Sequence, residues 1–161
     1  MKPDLKLITE LAIMPALEWM PARLTSPQAL VMLLAIGLQE SGFQTRVQLG
    51  NGPARGWWQF EQGGGVAGVL GNSLTRPRAL DLCTRCFVKA EPEPVWKALE
   101  HNDILAAGLA RLLLYADPKP LPALDDPGAA WECYVRCWRP GKPRPTDWPE
   151  NYAAALAEVN S

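Results

Sequence analysis

Glu40 is the residue whose position in the sequence points most directly to chemistry. It stands at the end of an apolar helix predicted over residues 27–40, beside the partial negative charge of a helix C-terminus. Apolar surroundings and this dipole both disfavour the ionised carboxylate, so we expect its pKa to be raised. An acid that stays protonated near neutral pH can donate its proton to a leaving oxygen. Charged residues also end helices simply by facing solvent, and the residue types leave that alternative open.

An aromatic, turn-rich segment follows over residues 51–61. Trp57 and Trp58 come directly after a glycine, and Gln59 and Glu61 follow them. Sugars bind by stacking on aromatic rings and by hydrogen bonds to amides and carboxylates, so these residues are candidates for a sugar-binding cleft. Either Trp serves equally well as a core residue, and Glu61 equally well as a surface charge. Glu61 is the candidate for a second catalytic carboxylate, and Asp81, with no motif around it, is a weaker one.

Two stretches of this region resemble the catalytic signature of lysozyme-like lytic transglycosylases. Residues 40–43 (Glu-Ser-Gly-Phe) are similar to the Glu-Ser-x-Phe motif that ends a buried helix in that family. Residues 56–59 (Gly-Trp-Trp-Gln) are similar to its downstream Gly-Leu-Met-Gln motif, with two Trp in place of Leu and Met. The loop spacing and residues 138–143 also resemble phage versions of the domain.

The resemblance implies roles for individual residues. Glu40 corresponds to the catalytic acid and Phe43 to a buried aromatic. Tyr134 is the counterpart of the Tyr in the family's C-terminal Ala-Tyr-Asn motif, with Val135 in place of the Asn. The residues expected to line the cleft and bind substrate are Ser41, Trp57, Trp58, Gln59 and Tyr134.

The resemblance also implies a fold and an activity. The fold is expected to be a single, mainly α, lysozyme-like domain over residues 1–161, with a buried central helix that carries the catalytic Glu. The activity is cleavage of the β-1,4 bond between N-acetylmuramic acid and N-acetylglucosamine in peptidoglycan, with Glu40 as general acid and then base. Attack by the muramyl 6-hydroxyl gives a 1,6-anhydro product, and attack by water gives hydrolysis. No cofactor is implied, and the substrate's N-acetyl group can replace a second carboxylate.

Two other functions remain compatible with the sequence. One is a non-catalytic glycan-binding or virion structural domain of the same fold, against which the pairing of Glu40 with Ser41 argues. The other is a small interaction module stapled by zinc through Cys83, Cys86, Cys133 and Cys137.

The four cysteines form two close pairs, Cys83/Cys86 and Cys133/Cys137. Four thiolates in two such pairs can hold a structural zinc ion in a tetrahedral site. Both pairs lie on predicted helices, where Cys also serves as a small core residue. Disulfides are the third alternative if the protein works in an oxidising compartment.

Composition narrows the classes of partner and of mechanism. Lys and Arg total 16 and Asp and Glu total 17, for a net charge of -1, which gives no reason to expect nucleic acid or an anionic membrane as a partner. The single His101 disfavours mechanisms that need two imidazoles and lies at a polar junction between helices. A basic stretch, Arg136, Arg139, Lys142 and Arg144, is a solvated face or a contact for anionic parts of the wall.

The N-terminal region is a poor signal peptide, because Pro15 and Glu18 interrupt its apolar part, and no apolar stretch approaches the roughly 20 residues of a membrane span. We therefore expect synthesis in the cytoplasm, and action on the cell wall after holin-dependent release, injection with a phage particle, or delivery by a secretion apparatus. Phage particle proteins are then candidate partners.

Helical periodicity and capping residues predict the elements that position these side chains. The first helix covers residues 5–20, with Pro15 expected to kink or restart it. The central helix begins with Ser26 as N-cap and Pro27 at its first position. Residues 44–71 are expected to form a loop region with short flanking helices. The remaining helices are predicted over residues 77–90, 94–100, 103–115, 127–138 and 148–159.

Overall fold

The computed structural model describes residues 1–161 and consists of helices and irregular segments, with 59% of the residues helical and no β-strand. The prediction of a mainly α chain is confirmed. In chain order the α-helices are α1 (Leu5–Ile8), α2 (Met14–Glu18), α3 (Pro27–Glu40), α4 (Ala67–Gly71), α5 (Arg76–Arg85), α6 (Pro92–Ala98), α7 (Asp103–Tyr115), α8 (Pro127–Trp138) and α9 (Trp148–Val159).

Helix α3 forms the centre of the molecule, as its nearly all-apolar sequence predicts. Ser26 caps it by accepting a hydrogen bond from the Ala29 N–H at 3.1 Å, and Pro27 occupies its first turn. It packs chiefly against α9 and also against α7 and α8. Gly42, with φ of 61°, ends it by donating its N–H to the Gly37 carbonyl at 3.1 Å.

The first helix is interrupted as the proline predicts. A π-helical segment, Thr9–Ile13, joins α1 to α2, and Pro15 lies in the first turn of α2. Proline has no N–H and its ring crowds the carbonyl four residues earlier. The π-helical segment lets α2 begin beside Pro15, and in the first turn of a helix a missing N–H breaks no hydrogen bond within the helix.

Helices α7, α8 and α9 begin and end at the predicted residues. The prediction for α5 was wrong beyond residue 85, because Phe87 adopts a left-handed backbone conformation (φ 56°) that ends the helical region. Helix α6 begins two residues earlier than predicted, since Pro92 and not Pro94 is its first residue.

The buried apolar side chains form one contiguous core of 36 residues, and the chain is a single domain. Helices α3 and α7 contribute the largest fully buried aliphatic residues, such as Leu33, Leu34 and Leu109. No helix is long and apolar enough to cross a membrane.

Candidate functional site

Glu40, the last residue of α3, meets the hydroxyl of Tyr134 on α8. The Tyr134 hydroxyl donates a hydrogen bond to Glu40 Oε1 at 2.6 Å, across 94 residues of sequence. Burial raises the pKa of Glu40 from 4.5 to about 6. The Tyr134 hydrogen bond and the positive charge of Arg144 oppose this rise, because both stabilise the ionised carboxylate. Tyr134 engages Oε1 alone, so Oε2 has no hydrogen-bond partner within the protein.

The Tyr134 ring is held by aromatic packing. It stacks on Trp148, the first residue of α9, with ring centroids 5.4 Å apart and planes inclined by 10°. Trp131 lies against it on α8, also at 5.4 Å. Burial and the negative charge of Glu40 raise the pKa of the Tyr134 hydroxyl. The hydroxyl therefore stays protonated and acts as a fixed donor toward Glu40.

Gln39 ties the connector between α8 and α9 to the end of α3. Its side chain is buried, and its amide donates to the Arg144 carbonyl at 2.9 Å and accepts a hydrogen bond from Asn151 at 2.9 Å. The Arg144 guanidinium in turn donates to the Gln39 carbonyl. These bonds hold Arg144 close to Glu40, although the two side chains form no direct ion pair.

Ser41 joins α3 to the aromatic segment. Its hydroxyl donates to the Trp57 carbonyl at 2.6 Å and accepts a hydrogen bond from the Phe43 N–H at 3.1 Å. Backbone groups thus use the Ser41 hydroxyl both as donor and as acceptor, and its contact with substrate stays a prediction. Ser41 positions residues 56–59 beside Glu40.

Residues 56–59 form a tight turn closed by a pair of hydrogen bonds between Arg55 and Phe60, each 2.9 Å long. Gly56 has φ of 76°, and a Cβ there would lie 3.2 Å from the Leu99 Cβ, so glycine suits this position. The Trp58 carbonyl accepts a hydrogen bond from the Trp138 indole at 2.9 Å. Trp138 lies one helical turn after Tyr134 on α8. The segment 56–59 is therefore bonded to α8 through Trp138 and to the end of α3 through Ser41.

The two adjacent tryptophans have different environments. Trp58 is fully buried and donates its indole N–H to the Leu33 carbonyl at 2.8 Å. The prediction that Trp58 binds sugar is therefore wrong, because its ring is part of the core. Trp57 is half-buried, and the Arg46 guanidinium lies 4.2 Å from its ring centroid. The cation occupies that one face of the indole, so this face does not stack on a sugar. Sugar binding by Trp57 stays a prediction.

The side-chain amide of Gln59 is partly engaged within its own turn. Its N–H₂ donates to the Gly56 carbonyl at 2.9 Å, and the residue adopts a left-handed conformation with φ of 52°. Its side-chain oxygen has no hydrogen-bond partner within the protein and is available to a ligand.

Neither candidate for a second catalytic carboxylate, Glu61 or Asp81, is part of the site around Glu40. Glu61 is exposed and lines a separate surface groove of about 790 Å³ with Arg55, Trp96 and a run of glycines. Asp81 pairs with Arg85 at 3.0 Å on the surface of α5. Trp96 is half-buried and donates its indole N–H to the Pro53 carbonyl at 2.8 Å in this groove.

The four cysteines are free thiols and do not form one cluster. Cys133 and Cys137 lie with Asp117, whereas Cys83 and Cys86 lie elsewhere. The alternative of one zinc site formed by all four cysteines is therefore not assembled. Burial raises the pKa of the Cys83 thiol to about 11, so that thiol stays protonated at neutral pH. His101 is exposed, as expected of a residue at a polar junction.

Sequence reasoning missed the roles of Gln39, Arg144 and Trp138 near Glu40. Gln39 is a polar residue inside an otherwise apolar helix, which is a signal of a buried hydrogen-bond network. The basic stretch is divided by the fold: Arg144 lies near Glu40 and Arg136 pairs with Asp117 at 2.6 Å, while Arg139 and Lys142 are exposed.

Comparisons with models of protein families, with curated proteins and with solved structures found no match to this chain.

Proposed function

We propose that this chain is a lysozyme-like glycosidase that cleaves the bond between N-acetylmuramic acid and N-acetylglucosamine in peptidoglycan. The observation that carries the proposal is the pairing of Glu40, with its pKa raised to about 6, and the Tyr134 hydroxyl at 2.6 Å from its Oε1. The motif resemblance over residues 40–43 and 56–59 supplies the substrate class.

The proposed mechanism uses the two oxygens of Glu40 differently. Tyr134 holds Oε1, and Oε2 donates the proton to the leaving glycosidic oxygen. A pKa of about 6 leaves a useful fraction protonated near neutral pH and keeps the ionised form accessible. Once ionised, the same carboxylate accepts a proton from the muramyl 6-hydroxyl or from water. Attack by the muramyl 6-hydroxyl makes the enzyme a lytic transglycosylase, and attack by water makes it a muramidase.

Loss of the leaving oxygen leaves positive charge on the sugar ring, and no second protein carboxylate lies nearby to stabilise it. Glu61 lies in the separate groove and Asp81 is paired with Arg85. We therefore assign this step to the substrate's own N-acetyl group, as in substrate-assisted glycosidases. Gln59, whose side-chain oxygen is free, is the candidate to orient that sugar.

Action on the wall requires delivery from the cytoplasm, and we propose release as an endolysin or transport as a virion component. Neither route changes the chemistry assigned to Glu40.

The decisive experiment incubates purified peptidoglycan with the wild type and with Glu40→Gln, which keeps an acceptor for Tyr134. Mass spectrometry of the soluble muropeptides measures cleavage, and the anhydro or reducing ends distinguish transglycosylase from hydrolase. We expect Glu40→Gln to lose about 10²- to 10⁴-fold in rate, as for loss of a general acid.

Glu61→Gln is the matched control, and we expect it to keep wild-type activity. If the folded wild type sediments with peptidoglycan but releases nothing, the chain is a glycan-binding domain and not an enzyme. Full activity in Glu40→Gln would also overturn the proposal.

A further inference from the structure

Asp117, Cys133 and Cys137 bring three metal-ligating side chains together away from Glu40. A carboxylate oxygen and the two sulfur atoms all lie within 4.8 Å of one another. Cys133 and Cys137 are one turn apart on α8, and Asp117 lies two residues beyond the end of α7. No other group of three or more His, Cys, Asp or Glu side chains has its ligand atoms this close.

The distances suit a thiophilic divalent ion. Cys133 Sγ lies 3.9 Å from Asp117 Oδ2. In a tetrahedral zinc site with Zn–S of about 2.3 Å and Zn–O of about 2.1 Å, sulfur and oxygen ligands are about 3.6 Å apart. The Cys133–Asp117 pair therefore needs a contraction of a few tenths of an ångström, and a pair at the full 4.8 Å needs roughly 1 Å.

The site is partly enclosed. Cys133 is 1% exposed and the Asp117 side chain 3%, while Cys137 is half-buried and reaches the surface. Two ligand side chains are thus largely shielded from solvent, and the third is partly open to it. Three protein ligands leave the fourth tetrahedral position to water.

Arg136 balances the charge of the occupied site. Its guanidinium holds the Asp117 carboxylate through Nε to Oδ1 at 3.0 Å and Nη2 to Oδ2 at 2.6 Å. Two thiolates and one carboxylate carry three negative charges, which a divalent ion and one guanidinium neutralise together. Hydrogen-bonded outer residues of this kind orient ligating carboxylates and strengthen metal binding. A second lone pair on Oδ2 remains for the metal while Arg136 stays in place.

We propose that Asp117, Cys133 and Cys137 bind one zinc-class divalent ion that fastens the end of α7 to α8. On binding, the two thiols release their protons to solvent and form metal–sulfur bonds. The proposal does not depend on the glycosidase activity assigned to Glu40.

Cobalt(II) titration of the reduced, full-length protein tests the site. Tetrahedral thiolate coordination produces sulfur-to-cobalt charge-transfer absorption in the near ultraviolet, and zinc should displace the cobalt. We expect saturation at one equivalent. Cys137→Ser and Asp117→Asn should each weaken binding by at least tenfold, and Arg136→Gln by about 10- to 100-fold.

The Cys83→Ala/Cys86→Ala double variant is the matched control and should bind as the wild type does. Circular dichroism checks that each variant is folded, and Cys137→Ser changes a half-buried thiol, so its effect is separable from loss of fold. The absence of charge-transfer absorption would overturn the proposal. So would binding that survives Cys137→Ser, or binding that the control variant abolishes.

Discussion

Glu40 and Asp117 are two carboxylates at or just beyond the C-terminal ends of apolar helices, yet the fold gives them pKa values shifted in opposite directions. Glu40 ends α3 and has a pKa raised by burial to about 6. Asp117 follows α7, and its hydrogen bonds from Arg136 lower its pKa. Helix α8 supplies the main partner in both cases, a neutral hydroxyl to Glu40 and a cation to Asp117. At Glu40 burial outweighs the hydrogen bond from Tyr134, whereas at Asp117 the hydrogen bonds from Arg136 outweigh burial. The comparison teaches that the balance between burial and partner, more than a place at a helix end, decides whether a carboxylate exchanges a proton or stays an anion.

The largest effect on stability is expected from Glu40→Gln. The folded protein binds the Glu40 proton more tightly than the unfolded chain, so its stability falls as pH rises from about 4.5 to about 6. The rise of the Glu40 pKa from 4.5 to about 6 corresponds to about 2 kcal/mol of unfolding free energy. The wild type should therefore lose about 2 kcal/mol of unfolding free energy between pH 4 and pH 8 through this group. Glu40→Gln does not titrate, so its stability relative to the wild type should rise by that amount.

Urea unfolding of both proteins at the two pH values measures this difference. Glu61→Gln, at an exposed carboxylate, is the control and should show no comparable change. A constant difference between Glu40→Gln and the wild type across pH would refute the raised pKa.

Tyr134→Phe should remove the only neutral donor to Glu40 and keep the aromatic stack on Trp148. Loss of a hydrogen bond to a partly buried group costs about 1 kcal/mol of unfolding free energy. The pKa of Glu40 should rise above 6, because the lost bond stabilised its ionised form. Carboxyl ¹³C chemical shifts followed by NMR titration measure that pKa. A fall, or no change, would mean that the Tyr134 hydroxyl does not govern Glu40.

Asp117→Asn should have the opposite pH dependence to Glu40→Gln. A lowered pKa adds stability above the unfolded-state value, and that stability is lost as pH falls through the folded-state value. The variant should be less stable than the wild type at neutral pH and equally stable in acid. The effect should be smaller than that of Glu40→Gln, because Arg136 is partly exposed and solvent screens the pair.

Metal-free protein keeps this measurement separate from the proposed metal site. Thermal unfolding at neutral and acidic pH provides the comparison. Equal destabilisation at both values would show that the ion pair with Arg136 is not the cause.

Arg144→Gln should produce the smallest change. Its guanidinium is more than half exposed and forms no direct ion pair with Glu40. Removing its charge should raise the pKa of Glu40 by less than Tyr134→Phe does, because charge is the smaller of the two opposing influences. The same NMR titration measures it, and added salt should reduce the difference between this variant and the wild type.

The helices and the place of Glu40 were predictable because their signals are local. Ser26 and Pro27 mark the start of α3, and the ends of α7, α8 and α9 follow from residues within one turn of them. The end of α5 was not predicted, since the left-handed conformation of Phe87 has no glycine or asparagine to announce it. The resemblance of the motifs also implied that residues 56–59 and Tyr134 belong near Glu40, and hydrogen bonds through Ser41 and Trp138 join these segments.

The sequence by itself determined an α-helical chain with a carboxylate at the end of its buried central helix, because periodicity and capping act over a few residues. Only the tertiary structure decided which partner each reactive group meets. It buried Trp58 in the core and placed the Arg46 guanidinium over one face of Trp57. It also placed Arg144 near Glu40 and paired Arg136 with Asp117. It also separated the two cysteine pairs and joined one of them to Asp117. These outcomes depend on how helices distant in sequence pack together, and no local pattern encodes that packing.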